Sequence, residues 1–417
     1  MSTAELRTWL HESDPKKFPY AAVVRHYQRV GKHFVHPELL SVLADVRDRL
    51  PSMRGPWEHV QTLASFLDTA LDKPDGRYDY PTYLALSLLQ LPTVDDPVEQ
   101  APFARSRCDR LIAQLVADAL GFEIAAVEGA TALLPAMRPD PDLVVKRCKH
   151  GLRVIRPVLA RMSLDGGLTA TEPLELARQV CSVVRADMSF SEERALELSV
   201  LPVYTAHDEY MFLRVLQTFE TVFALLAVLL RGVTAALAQG EADRAVHFLA
   251  TAENALRESA PLFSMLATMQ IESFRTFRQF TEGASAIQSR NYKLVESLCR
   301  QPDAERVDSP AFHSAPDVRD RVLAGQHTLD DAYRELRESG AVSEHDRERI
   351  AEGMKGFARA LLRWRNTHYR LAVRMLGEAT GTGYTEGTPY LKAVRTIPVF
   401  HAVDVAGEET DETARTR

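Results

Sequence analysis

TAHDEYMFLRVLQTFETVFALLAVLL, residues 205–230, decides the fold class. Phe212, Val215, Phe219, Val222, Leu226 and Leu229 fall at spacings of 3, 4, 3, 4 and 3, which is the recurrence of one helix face and not the alternation of a strand. Thr205 with Asp208 three residues later reads as a capping-box-like start. The longest apolar run, residues 222–230, is closed by Arg231 and preceded by Arg214 and Glu220. That is far short of the ~20 residues needed to cross a bilayer, so the stretch predicts a buried helix and no membrane span.

Working outward, the same three- and four-residue recurrence covers most of the chain while β-branched alternation is rare, so the expected fold is all-α. Residues 1–75 form an N-terminal helical extension of short helices broken by Pro15, Pro37, Pro51 and Pro56, ending in the turn Lys73-Pro74-Asp75-Gly76. Residues 76–400 are expected to make the main domain. Within it a short helical element at 80–90 is broken at 92–97. A helical block at 101–190 is interrupted at 134–141 and at Gly166-Gly167. Helices follow at 242–258 and from Pro261 to residue 281, then a charged, mobile connection at 301–344 carrying a helix at 329–338. The last helix, 347–376, stops at Gly377 and opens into a loop, 377–389, with four glycines. Residues 401–417 are expected to be a flexible tail.

With 417 residues, 46% apolar and 26% charged, the chain can bury a large core and is not disordered as a whole. Fifty basic against 57 acidic residues give a net charge of −7, which argues against a general nucleic-acid binder. Cys108, Cys148, Cys181 and Cys299 form no CxxC pair, so neither a zinc ribbon nor a disulfide framework is indicated. Residues 1–17 are charged throughout and lack a signal-length apolar run. The expected location is cytoplasmic.

Three residues could carry chemistry. On the last helix Phe357, Leu361, Trp364, His368, Leu371 and Met375 recur at 4, 3, 4, 3 and 4, setting His368 inside an apolar stripe. It is either a core histidine bonded to a carbonyl or a metal or haem ligand, since a neutral imidazole on a rigid helix suits an axial position. There is no CxxCH, and Ala372 stands four after His368, so any haem would be non-covalent. His207 lies in the first turn of its helix, where the dipole favours a neutral ring; it is a surface histidine beside a cap or a hydrogen-bond partner for a substrate N–H. Arg278, among Phe274, Phe277 and Phe280, is snorkelling or clamping an anion. The glycine loop fails as a phosphate loop, having no following Lys and no preceding strand.

Four stretches together resemble the tryptophan 2,3-dioxygenase family of haem enzymes. Tyr80-Pro-Thr-Tyr-Leu is similar to its YxxYL helix, and His207-Asp-Glu-Tyr-Met-Phe-Leu with Gln217 and Glu220 to its HDExxF…Q..E helix. Phe277 to Ser289 is similar to FRxxLxPASGFQS. Arg363-Trp-Arg-Asn-Thr-His368 through Gly377 to Thr380-Gly-Thr382-Gly is similar to RWRxxHxxxVxRMxGxxxGTG, the most specific of the four. About half of the chain is covered.

The resemblance implies a helical haem-binding bundle, carrying non-covalent haem b with ferrous iron and using dioxygen as co-substrate. It implies that His368 is the axial ligand of the haem iron with Trp364 beside the cofactor, and that His207 is the distal catalytic histidine near the indole nitrogen. Arg278 becomes the clamp for the amino-acid carboxylate and Thr382 a contact to its amino and carboxylate groups. Phe212 and Ser285 become further substrate contacts, and Tyr80 and Tyr83 an aromatic wall lent in the family by a neighbouring subunit. A homo-oligomer, dimer or tetramer, is implied.

The chain also departs from the family. Leu216-Gln217-Thr218-Phe219-Glu220-Thr221-Val222 stands where the family has HQxxELW. Gly381-Thr-Gly-Tyr384-Thr-Glu386-Gly387 replaces GTGGSSG. A block at about 93–200 is inserted between the tyrosines and His207. The expected activity is insertion of dioxygen across the indole C2–C3 bond of L-tryptophan or a modified tryptophan, giving an N-formylkynurenine. The alternatives are a haem-dependent monooxygenase of an aromatic amino acid in a natural-product pathway, and a haem-binding protein without turnover.

Overall fold

The computed structural model describes residues 3–96, 98–377 and 388–404. Among them are nineteen α-helices and no strand, so the fold is all-α as its periodicity requires. The chain separates into two units, each assembled from distant stretches. Unit 1 takes the described residues up to Leu91, then Asp109–Thr218 and Ser264–Gln288; unit 2 takes the remainder of the described chain.

In unit 1 the prolines of the N-terminal extension start helices more than they break them. Pro37 sits in the first turn of Pro37–Arg49, where its missing N–H costs nothing, and Pro56 precedes Trp57–Ala70. The apolar faces of these helices, with Leu6, Val23, Tyr27, Leu43, Val46, Phe66 and Leu67, close around Ala85, Leu88, Leu198 and Leu201. The extension also grips the segment leading into the His207 helix: Gln28 Nε2 donates to the Val200 carbonyl and the Lys32 N–H to that of Pro202. Gly31 has φ +82°, and a Cβ there would stand 2.6 Å from the Val203 carbonyl oxygen, so only glycine permits that approach. The turn at residues 73–76 forms as read, closed by Gly76 N–H to the Lys73 carbonyl.

The inserted block contributes Ala101–Val127, Pro141–Arg161, Pro173–Asp187 and Phe190–Leu198. Its residues from 109 onward belong to unit 1 and 92–108 to unit 2.

The helix predicted from residues 205–230 runs His207–Ala238. Its length and composition would satisfy a membrane span, but its side chains are buried in protein. The expected capping pair does not form. Thr205 offers its carbonyl to the Ala136 N–H, and both Asp208 oxygens are engaged elsewhere, by Arg147 and by the Gln270 N–H.

Two further expectations fail in unit 2 and one at its edge. Pro261, read as the start of a helix, lies inside Ala242–Leu266; burial of Ala255, Leu256, Leu262 and Phe263 on either side of it outweighs the loss of one backbone bond. The following helix is correspondingly short, Ile271–Arg278. Residues 301–344 are not a mobile connection but fold as Ala304–Val307, Pro310–His313, Pro316–Leu323 and Leu329–Ser339, with Val307, Phe312, Val318 and Val322 buried. The tail does not begin at 401, because the His401 and Ala402 N–H groups donate to Asp330. Residues 405–417 lie outside the described residues, as do 378–387 of the glycine loop. The last helix, Glu344–Leu376, is capped by Ser343, whose side chain accepts from the Asp346 N–H, and ends at Gly377 with φ +61°.

Candidate functional site

His207 is not a surface histidine: it is fully buried. Its Nε2 meets Glu123 Oε2 at 3.2 Å, and its ring stacks on Phe122 with centroids 4.8 Å apart. The other oxygen of Glu123 accepts from Arg147 Nη1 at 2.8 Å, and Arg147 Nη2 donates to Asp208 Oδ1 at 2.6 Å. Burial alone would raise the Glu123 carboxyl, but the His207 hydrogen bond and the Arg147 charge bring it below the ordinary value. Nδ1 of His207 is buried and has no hydrogen-bond partner among the described residues. Sequence reasoning missed Phe122, Glu123 and Arg147. The one signal was a pair of acids, Asp118 and Glu123, inside the apolar run of residues 111–127; Asp118 is taken by Tyr210 and Arg214.

The same unit brings together five more predicted residues. Tyr80 and Tyr83 share an apolar cluster with Phe122, Tyr210 and Leu213, and Phe212 packs against it. Both tyrosines are thus seated within their own chain. The Tyr83 hydroxyl donates to Glu209 Oε1, and Glu209 also accepts the Val203 and Tyr204 N–H groups, fixing the entry to the His207 helix. Phe212 packs on Phe277 at 5.3 Å, directly before Arg278. Arg278 is half-buried, and desolvation pushes its guanidinium below the ordinary value. Gln288 was passed over as a mere part of a motif. Its side-chain oxygen accepts from the N–H groups of both Tyr80 and Ser285, tying the Arg278 loop to the tyrosine helix. Gln217 and Arg214 bind one another, and Gln217 also donates to the Leu84 and Ser199 carbonyls.

Unit 2 holds His368 and Trp364. Along the stripe, Phe357, Leu361 and Met375 are buried while Trp364, His368 and Leu371 are half-buried, so the stripe opens where the imidazole sits. The ring lies against Trp364 at 5.2 Å and Phe263 at 6.3 Å, and Trp364 is flanked by Phe219, Phe223 and Tyr292. Neither nitrogen of His368 has a partner among the described residues, and desolvation lowers the ring to about 4. The carbonyl-bonded core histidine is therefore not what forms. Trp364 Nε1 is likewise buried with no partner among the described residues. Arg365 braces the helix through the Tyr292 hydroxyl and the Ile397 carbonyl. No group of three or more His, Cys, Asp or Glu is gathered for a metal ion among the described residues. A single free imidazole in an aromatic wall fits an iron whose other ligands come with it, as in haem. Thr382 lies outside the described residues.

No protein-family model matches the sequence. Comparison with individual proteins is more informative: a tryptophan 2,3-dioxygenase of Polaromonas sp. strain JS666 is 27% identical over 250 residues, 51% of this chain and 85% of that protein. The chain is similar to the tryptophan 2,3-dioxygenases. Two further tryptophan 2,3-dioxygenases bear this out. That of Nocardioides sp. strain JS614 is 28% identical over 213 residues, covering 45% of this chain and 80% of its own. That of Bradyrhizobium diazoefficiens is 27% identical over 251 residues, covering 51% and 89%. Each match takes in most of the dioxygenase but only about half of this chain.

Proposed function

We propose that this chain is a haem-dependent oxygenase acting on L-tryptophan or a modified tryptophan, inserting dioxygen across the indole C2–C3 bond to give an N-formylkynurenine. The observation that carries the reading is His368, a neutral imidazole without a hydrogen-bond partner among the described residues, at the open middle of a buried stripe, in a chain similar to tryptophan 2,3-dioxygenases. His368 would hold the iron and Trp364 would flank the cofactor. The haem supplies the redox chemistry with dioxygen when bound.

The remaining work is orientation. Arg278 presents a planar pair of donors that a carboxylate accepts bidentately, so it takes the amino-acid head, with Ser285 and Thr382 as further polar contacts. Desolvation of Arg278 strengthens such a pair. Phe212, Tyr80 and Tyr83 wall the ring, and His207 meets its N–H. Holding the ring in one pose lowers the barrier by removing orientational freedom before reaction.

The test is an absorption spectrum of purified, haem-supplied protein followed by mass spectrometry of products from a panel of aromatic amino acids. A Soret band and a product carrying two added oxygen atoms support the reading. One added oxygen selects a monooxygenase, and a colourless protein overturns the haem assignment.

A further inference from the structure

The inserted block, which lies outside all four stretches that resemble the dioxygenases, supplies the aromatic ring and the carboxylate that meet the His207 imidazole in unit 1. Phe122 stacks on the imidazole, Glu123 Oε2 stands 3.2 Å from Nε2, and Arg147 bridges Glu123 and Asp208 at 2.8 and 2.6 Å. Arg147 is further held by the Thr268 hydroxyl and carbonyl, and Asp208 by the Gln270 N–H. Side chains of Arg147, Glu123, Asp208 and His207 are all at most 1% exposed. Bulk solvent is therefore kept from these bonds, which strengthens them and favours one arrangement.

A neutral imidazole has one N–H and one lone pair, and whichever nitrogen is bound decides the role of the other. An ionised carboxylate accepts only. With Arg147 against its second oxygen, Glu123 is held ionised, so it requires the hydrogen on Nε2. We propose that Glu123 and Arg147 are positioning residues that lock His207 as its Nε2–H tautomer, so that Nδ1, buried and unpartnered among the described residues, is the acceptor for the substrate's ring N–H. The tautomer rests on the geometry alone; its use toward an indole rests on the function proposed above. The inserted block thereby supplies the orientation of a histidine that lies in one of the four resembling stretches.

The decisive measurement is ¹⁵N NMR of the imidazole nitrogens in full-length, histidine-labelled protein, with any bound haem kept in the diamagnetic ferrous carbonyl state. His207→Gln assigns the signal. Protonated Nε2 with bare Nδ1 is expected, and the opposite tautomer overturns the proposal. This readout needs neither turnover nor substrate, so it stands apart from failure of the oxygenase reading. A second readout compares binding of L-tryptophan and 1-methyl-L-tryptophan, which lacks the ring N–H. Wild type should prefer the N–H ligand, and Glu123→Gln, which preserves shape but can present an N–H to Nε2, should shrink that preference roughly three- to tenfold, the worth of one hydrogen bond. An unchanged preference in a variant with normal helicity overturns the role of Glu123. Should that variant fail to fold, the wild-type tautomer still decides.

Discussion

Two histidines on two long helices have opposite surroundings. His207 in unit 1 is sealed in a charge-paired network and stacked on Phe122. His368 in unit 2 stands half-buried among aromatic rings and has no hydrogen-bond partner among the described residues. An imidazole with a carboxylate partner has its proton assigned, which suits directing a hydrogen bond. An imidazole without one keeps a lone pair available, which suits a metal. The residue type is the same, and the neighbours decide its use.

The sharpest way to break this comparison is to exchange the losses. His368→Ala should abolish the Soret band of haem-supplied protein or leave a weakly held cofactor, whereas His207→Ala should keep haem content near wild type and alter only the spectral response to substrate. Equal haem loss in both variants would mean that the two roles are misassigned. Next in size, Arg147→Met removes the shared partner of Glu123 and Asp208. Breaking a buried pair leaves uncompensated charge, so denaturant unfolding should show a loss of about 3–5 kcal/mol. A loss below 1 kcal/mol would make the network in unit 1 incidental.

Arg278 tests the substrate side. Because it is only half-buried, its pairing with a carboxylate is worth less than a sealed pair, about 1.5–3 kcal/mol. Arg278→Leu should weaken L-tryptophan binding by one to two orders of magnitude and leave tryptamine nearly unaffected. A Soret titration of both ligands into both proteins forms a double-mutant cycle. Additive effects would show that guanidinium and carboxylate do not meet.

The smallest expected effects per unit of pH, about 1.4 kcal/mol at most, are stability slopes of opposite sign. His368 is lowered to about 4 by burial, while the unfolded chain takes that proton near 6.5. Between those values the unfolded state binds more protons, so apoprotein stability falls as pH falls through the window. Glu209 is the reverse. Burial pushes it up to about 8 despite the Val203, Tyr204 and Tyr83 donors, so the folded state holds the extra proton and stability falls as pH rises from about 4.5 to about 8. His368→Leu should flatten the acid slope and Glu209→Gln the neutral one in thermal melts across pH. Slopes untouched by either change would mean that both groups are solvated.

What the sequence determined by itself is whatever depends on near neighbours along the chain. The 3,4 spacing of Phe212 to Leu229 settled a helix, the spacing of Phe357 to Met375 placed His368 on an apolar stripe, and Gly377 stopped that helix, because helical geometry is set within a few residues. The four matching stretches likewise named His207, Arg278 and His368 together. The tertiary structure alone decided which partners those residues have. Glu123 and Arg147 stand 84 and 60 residues before His207 in the chain, and no local spacing announces that Glu123 meets the imidazole or that Arg147 bridges Glu123 and Asp208. Pro261 and residues 301–344 were misread for the same reason. Proline and charge weaken local helix preference, but burial of Phe263, Phe312 and Val318 against the rest of their unit outweighs it. Only packing could show His207 sealed and His368 open, since exposure depends on every element that lands beside a residue and not on the helix that carries it.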